Sequence, residues 1–448
     1  MRACEESLGS QGYFLSLTLV RIKIMSGTLK TKAIHFVPMS ELTLERTLPV
    51  DWRQASLVGR VMLPNVGPSV VIVDPHGDLL DVSHIFATTR DLFELENPAK
   101  AVRIATISGK RIGKASEIIA NSSLRGADQP YLLSPLDFQE IEAAGVTFVE
   151  SLVERMVEEA AMKVVPRDSD GGLNQNKLNE VRRKIRGEVE EIVGDADFSK
   201  IQPGSKVALE ILRRMKELGM STIYPQVGLG EEGEIFSKAS PATSVGHGAQ
   251  AGYSSDVSPW VNPEPEIVLI ANSKGRILGA TNGNDVNDRG KEGKSSLLLH
   301  RAKVKNGSTA VGPFIRVFDE EFGLDSLRDT EVILEVWRVD GSLKFEGSNK
   351  MSKISRRPED IVAAATDEER EHNDGVAVFL GTMTVPLKDD TGAEFTHEEG
   401  DIVRIGSPQL GYLTNVMLPA NEIQGLEKGA LDLARNLAIR GLLVSNAS

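Results

Sequence analysis

The chain of 448 residues exceeds what one typical domain holds, and 40% hydrophobic with 26% charged residues is the composition of an ordinary globular protein. Against 51 Lys and Arg stand 64 Asp and Glu, a formal net charge of −13 that repels a phosphate backbone and speaks against nucleic acid as a partner. Cys4 is the only cysteine, so the body of the protein has no disulfide, thiolate zinc cluster or cysteine nucleophile and suits a reducing cytoplasm, and no apolar run approaches the roughly 20 residues of a membrane-spanning helix.

The first apolar run, Gly12 to Val20, follows Glu5 and Glu6 and precedes Arg21 and Lys23, which is not the charge pattern of a signal peptide. Met25 and Met39 are both possible starts, and residues 1–38 are expected to be a poorly anchored extension. From Leu42 to Leu133, short β-branched runs such as Ser69–Val73 are punctuated by segments such as Asp74-Pro75-His76-Gly77-Asp78, predicting a smaller β-rich N-terminal domain over 39–140. Ser134 and Pro135 break that pattern, and Phe138 to Ala144 reads as a turn or two of helix at the boundary.

Between Glu150 and Leu218 the period becomes helical. Leu152, Met156, Val157 and Ala160 recur at three and four residues, and further amphipathic runs cover Leu178–Val193 and Val207–Leu218, with a polar loop over 168–175. Arg182, Arg183, Lys184 and Arg186 fit a solvated helix face. After Tyr224 the strand-like runs are Ile267–Ala271, Arg276–Ala280, Glu331–Val339, Val376–Leu380 and Asp401–Ile405, and a last helix, Ala430–Leu442, is expected to pack on them.

The informative stretch is Asn262 to Asp288. Glu264 and Glu266 stand two apart at the start of an apolar run, so on a strand they share one face. Read as a two-residue turn, Lys274-Gly275 folds the chain so that 283 faces 266 and 285 faces 264, bringing Asp285 to both glutamates. Three carboxylates this close raise one another's pKa unless a cation intervenes, and all-oxygen ligands select Mg²⁺, with Mn²⁺ or Ca²⁺ as substitutes. Three protein ligands leave positions open for water and substrate. The plain alternative is an edge strand with surface acids, a place that Pro263 and Pro265 also suit. Lys303, eighteen residues past Asp285, could balance leftover charge, hold a substrate carboxylate or carry a proton, although a lone lysine is usually solvent-exposed.

Together these segments resemble the fumarylacetoacetate hydrolase family. Pro263-Glu264-Pro265-Glu266 is similar to its strand with two acidic ligands, and Gly283-Asn284-Asp285-Val286 to its third-ligand motif. Lys303 with Gly312-Pro313, the pair Gly381-Thr382, and Glu399 to Val403 followed by Gly411, Leu413 and Asn415 extend the resemblance in the same order. It covers roughly residues 141 to 420.

The resemblance implies an α+β protein: a mixed β-roll catalytic domain over 141–448, interrupted by a helical insertion at about 155–220, with the smaller N-terminal domain beside it. It implies a homodimer or higher homo-oligomer, Mg²⁺ held by Glu264, Glu266 and Asp285, and a small 2-keto acid substrate. Hydrolytic members carry His and Glu three residues apart on a lid. Here Ser151 stands in the histidine's place and Glu154 in the glutamate's, which disfavours carbon–carbon hydrolysis because a serine is no base for water at neutral pH. The sugar-acid branch fits better. Its reaction would be dehydration of a 2-keto-3-deoxy-pentonate, the D-xylonate or D-arabinonate derivative, to 2,5-dioxopentanoate. Lys303 and Glu154 would be the catalytic pair, with base and acid not separately assigned, and Thr382 and Ser151 would meet the substrate. His247, flanked by Gly246 and Gly248, is a second source of an imidazole if that loop swings inward. A hydrolase of acylpyruvates or diketo sugar acids, a non-catalytic metal-binding homologue and a purely structural β domain are the alternatives.

Overall fold

The computed structural model describes residues 19–25, 28–148, 152, 155, 174–193, 201–217, 223–255, 260–424 and 426–443. The apolar run Ile267–Ala271 explains the architecture. It does not alternate with polar residues, and a strand of that kind must be covered on both faces. Ile267, Leu269 and Ala271 enter a core shared with Leu334, Val336, Val403, Ile405 and Leu413. Val268 and Ile270 enter a second core on the opposite face, with Val58, Ile72, Phe93 and Phe379. Each of these Ile, Leu, Val and Phe side chains contributes roughly 1.5–3 kcal/mol by leaving water.

The strand Pro265–Ala271 lies inside an 11-stranded mixed sheet. Its order runs from Lys110–Lys114 through Asp78–Asp81, Gly67–Val73, Leu57–Leu63, Thr309–Val317, Ile277–Asp285, Pro265–Ala271, Val376–Phe379 and Glu140–Gly145 to Glu234–Ala239. Tyr131–Leu132 is added beside Leu57–Leu63. Only the pair Val376–Phe379 with Glu140–Gly145 is parallel in this sheet. A five-stranded sheet, Gln250–Tyr253, Gly411–Pro419, Ile402–Ser407, Glu331–Trp337 and Leu343–Lys350 in that order, supplies the other wall of the first core. The helices Thr89–Phe93 and Pro98–Ser108 close the second core through Leu92, Phe93, Val102 and Ala105. The fold is therefore α+β with large mixed sheets.

Two expectations, the helix at 138–144 and the seat of the last helix, need correction, and the sheet and the N-terminal region show more than the sequence predicts. Residue 140 does not divide the sheet, because Leu57–Leu63 pairs directly with Thr309–Val317 and Arg316 closes the junction with a salt bridge to Asp51 at 2.6 Å. Phe138 to Ala144 is not helical: the strand Glu140–Gly145 is paired on both sides, so its apolar residues answer to the sheet rather than to a helix face. The N-terminal region also holds helices Thr89–Phe93, Pro98–Ser108 and Ala115–Asn121. The second of these opens on the Asn97 cap and Pro98, the signature of a helix start. Finally, the helix Ala430–Ile439 packs on the N-terminal hairpin, where Asn436 donates to the Val66 carbonyl at 2.7 Å and Arg440 to those of Pro68 at 2.6 Å.

Inside the stretch expected as an extension, Leu19–Met25 and Thr28–Ile34 pair antiparallel. In the insertion, the helices Gln175–Val193, Lys206–Glu217 and Ile223–Leu229 form their own cluster around Ile185, Ile211, Met215 and Tyr224. Among the described residues no helix is long and apolar enough to cross a membrane.

Candidate metal centre

Glu266 pairs with Gly283 and Pro265 with Asn284, while the Asp285 N–H donates to the Glu264 carbonyl at 3.0 Å. This is the register read from the sequence, reached by a different turn. The Gly275 N–H closes on the Asn272 carbonyl and Asn272 N–H on that of Arg276, so Ser273, Lys274 and Gly275 form a three-residue loop with Gly275 at φ 70°. That loop alone would shift the pairing by one residue. A bulge between Ile270 and Ala271, which leaves Leu278 unpaired, restores it. The prolines do not mark an edge either, since the strand is flanked on both sides and Pro265 sits at its first position.

The carboxylates of Glu264, Glu266 and Asp285 offer oxygens all within 4.8 Å of one another, and the residues are 0%, 0% and 1% exposed. Lys303, at the end of helix Leu299–Lys303, reaches Glu264 Oε2 at 2.5 Å and Asp285 Oδ2 at 2.8 Å. The Thr382 hydroxyl donates to Glu264 Oε2 at 2.8 Å, and the Gly381 N–H to Glu266 Oε2 at 2.7 Å. The Gly-Thr pair thus lies against the carboxylates themselves. Ser151 and Glu154 fall outside the described residues.

Four further side chains join the cluster, and sequence reading missed all of them. Arg155 donates to Glu264 Oε1 at 2.9 Å and pairs with Glu292 at 2.7 Å. Asn287 Nδ2 donates to the same two carboxylates at 2.9 and 2.6 Å. Lys238 stands 3.0 Å from Asp285 Oδ1. Arg155 had no motif to mark it, and Lys238 in Glu234–Ala239 reads as one more polar strand position; only tertiary packing makes them internal.

Among the described residues, the charges of this cluster are nearly balanced. Four carboxylates (Glu264, Glu266, Asp285, Glu292) face three cations (Lys238, Lys303, Arg155). Burial, reinforced by the charges of Asp285 and Glu264, pushes Glu266 well above the usual carboxylate range. For Asp285 burial acts in the same direction, but Lys238 and Lys303 outweigh it and hold the group at about 2. Burial would lower Lys303, and the surrounding carboxylates, Asp285 first, raise it instead. A hard dication fits this donor set: it would satisfy the three clustered oxygens and remove the reason for Glu266 to keep a proton.

His247 is not part of this centre. It is fully buried, with Nδ1 accepting the Thr414 N–H at 3.1 Å and Nε2 within 3.2 Å of the Thr47 hydroxyl. Its flanking glycines serve close packing, since a Cβ on Gly246 would stand 2.3 Å from the Leu133 carbonyl oxygen and Gly248 has φ +80°. Burial lowers the imidazole pKa to about 3.

Over 217 residues, 47% of this chain and 69% of the relative, the sequence is 34% identical to a 2-dehydro-3-deoxy-D-arabinonate dehydratase of Saccharolobus solfataricus. Over 205 residues, 45% of this chain and 66% of the relative, it is 31% identical to a probable 2-keto-3-deoxyxylonate dehydratase of Haloferax volcanii. The matched stretches thus span about two thirds of the curated relatives. A solved structure of 2-keto-3-deoxy-D-arabinonate dehydratase complexed with magnesium and 2,5-dioxopentanoate shares the fold, with TM-score 0.53 and 22% identity over 81% of this chain and 99% of that one. No family model matches the sequence.

Proposed function

We infer the reaction from one premise: this chain belongs to the family of 2-keto-3-deoxy sugar-acid dehydratases, in the sugar-acid branch of the fumarylacetoacetate hydrolase family. It is a metal-dependent hydro-lyase that converts a 2-keto-3-deoxy-pentonate, the D-xylonate or D-arabinonate derivative, to 2,5-dioxopentanoate. The net change is loss of one water, taken from C3–H and the C4 hydroxyl, with the aldehyde appearing at C5 by tautomerisation. The observation that carries this reading is the buried triad of Glu264, Glu266 and Asp285 with Lys303 laid across two of its members.

In this proposal the three carboxylates hold Mg²⁺, for which Mn²⁺ or Ca²⁺ could substitute. Bound Mg²⁺ would supply the Lewis acidity that draws electron density from the 2-keto group and acidifies the C3 proton. Lys303, within hydrogen-bond reach of two ligand carboxylates, and Glu154 are proposed as the pair that takes the C3 proton and protonates the C4 hydroxyl as it leaves as water, base and acid not separately assigned. The Thr382 hydroxyl, fixed against Glu264, is proposed to turn to the substrate carboxylate, and Ser151 is proposed as a second substrate-binding residue. Burial of the triad keeps bulk water from the reacting groups, which limits competing hydrolysis.

The test is incubation with Mg²⁺ and a panel of 2-keto-3-deoxy pentonates and hexonates, with and without chelator, followed by product mass. A product lighter than the substrate by one water, its formation abolished by chelator, is expected. Cleavage to two acids would assign the protein to the hydrolases instead, and turnover indifferent to chelator would remove the metal from the reaction. We also propose a homo-oligomer working in the cytoplasm, a setting supported by the single cysteine, Cys4.

A further inference from the structure

Lys238 is buried to the last atom, at 0% exposure, in the outer strand Glu234–Ala239 of the large sheet. A lysine there is costly unless its charge and all three donors are matched, and an apolar side chain of the same length would fill the space without that cost. Its partners are specific. Nζ stands 3.0 Å from Asp285 Oδ1, and donates to the carbonyl of Lys303 at 2.5 Å and to that of Ser308 at 3.1 Å. The Ser308 hydroxyl donates to the same Lys303 carbonyl at 2.8 Å. One ammonium therefore touches a metal-ligand side chain and the backbone of the residue whose own ammonium lies on that ligand's other oxygen, Oδ2.

We propose that Lys238 is a positioning residue for the reaction: lying against Asp285 Oδ1 and pinning the Lys303 carbonyl, it holds the Asp285 carboxylate in place and fixes the base of the Lys303 side chain. Among the described residues, no other side chain of the cluster contacts both Asp285 Oδ1 and the Lys303 carbonyl, since Arg155 and Asn287 bridge Glu264 to Glu292 instead. Lys238 acts through Asp285 and Lys303 and is not itself assigned contact with substrate. The inference rests on the reading of Glu264, Glu266 and Asp285 as the metal ligands.

The experiment compares the full-length wild type with Lys238→Met and Lys238→Arg by calorimetric titration with Mg²⁺, by steady-state kinetics on the active keto acid, and by thermal melting. Lys238→Met is expected to bind Mg²⁺ about 10- to 100-fold more weakly, and at saturating Mg²⁺ to lose about 10-fold or more in kcat with KM shifted less than about threefold. Lys238→Arg keeps the charge but not the point geometry, so Mg²⁺ affinity should return to within about threefold of wild type while kcat stays down about tenfold. A Lys238→Met protein that melts, binds Mg²⁺ and turns over as wild type overturns the proposal. If Lys238→Met does not fold, Lys238→Arg decides, and wild-type kcat in that variant overturns it too. Should the wild type bind Mg²⁺ but dehydrate no 2-keto acid, the functional reading falls, while the Mg²⁺ titrations still decide the role of Lys238.

Discussion

Glu266 and Asp285 share one site but sit in opposite electrostatic surroundings, and isosteric amides should expose the difference. Glu266 is raised by burial and by its anionic neighbours, so a neutral glutamine resembles its state without a cation. Glu266→Gln should keep metal-free stability to within about 1 kcal/mol while losing Mg²⁺ binding. Asp285 is the counterion of two buried lysines, and Asp285→Asn strands both charges. That variant should be destabilised by about 3–5 kcal/mol as well as blind to Mg²⁺, which paired urea melts and calorimetric titrations would show. His247 gives a pH dependence of known sign. Its folded pKa is depressed to about 3 from an ordinary 6.5, so the unfolded chain binds more protons between those values, and stability fully present above about 6.5 is lost as pH falls toward 3. Denaturant midpoints between pH 6.5 and about 4.5 should fall less steeply in His247→Gln than in the wild type. At this scale the acids were legible because strand alternation and a returning aspartate are local patterns. Arg155, Lys238 and Glu292 were not, because each is made internal by chain far away in sequence.

Elements explain how the acids are aimed. The hairpin's register near the ligands was readable, yet its turn was not, since the three-residue loop and the compensating bulge cancel and leave the same pairing as the simpler two-residue turn. Gly283 shows how little slack the hairpin has: a Cβ there would stand 2.3 Å from Phe379 Cε1 and 2.6 Å from Val268 Cγ2. Gly283→Ala should cost about 1–3 kcal/mol through overpacking, lowering the melting temperature, and should weaken Mg²⁺ binding because Asp285 follows two residues later on the same strand. The strand Glu140–Gly145 misled sequence reading for a related reason. Its sequence, EIEAAG, carries good helix formers, and only pairing with strands remote in the chain makes it extended. In Pro98–Ser108 the β-branched residues Val102, Ile104, Thr106 and Ile107 obscured a helix that Asn97 and Pro98 announce.

For the whole molecule, the continuous sheet predicts shared fate. Residues 39–140 and 141–448 made as separate chains should each fail to give a cooperative melt, whereas the intact protein should show one main transition; calorimetry of all three decides this. The helical cluster of the insertion has its own core and is the part most able to open separately, which hydrogen exchange would report as lower protection in Gln175–Val193 and Lys206–Glu217 than in Pro265–Ala271. The junction between Leu57–Leu63 and Thr309–Val317 also has a bearing on how the chain comes to exist at all. During translation the earlier strand leaves the ribosome long before its neighbour has been made, so the nascent N-terminal portion carries an unsealed rim of backbone donors and acceptors. Soluble yield is then a race between elongation and intermolecular strand capture, and slower synthesis without a holding chaperone should favour aggregates, whatever the supply of magnesium.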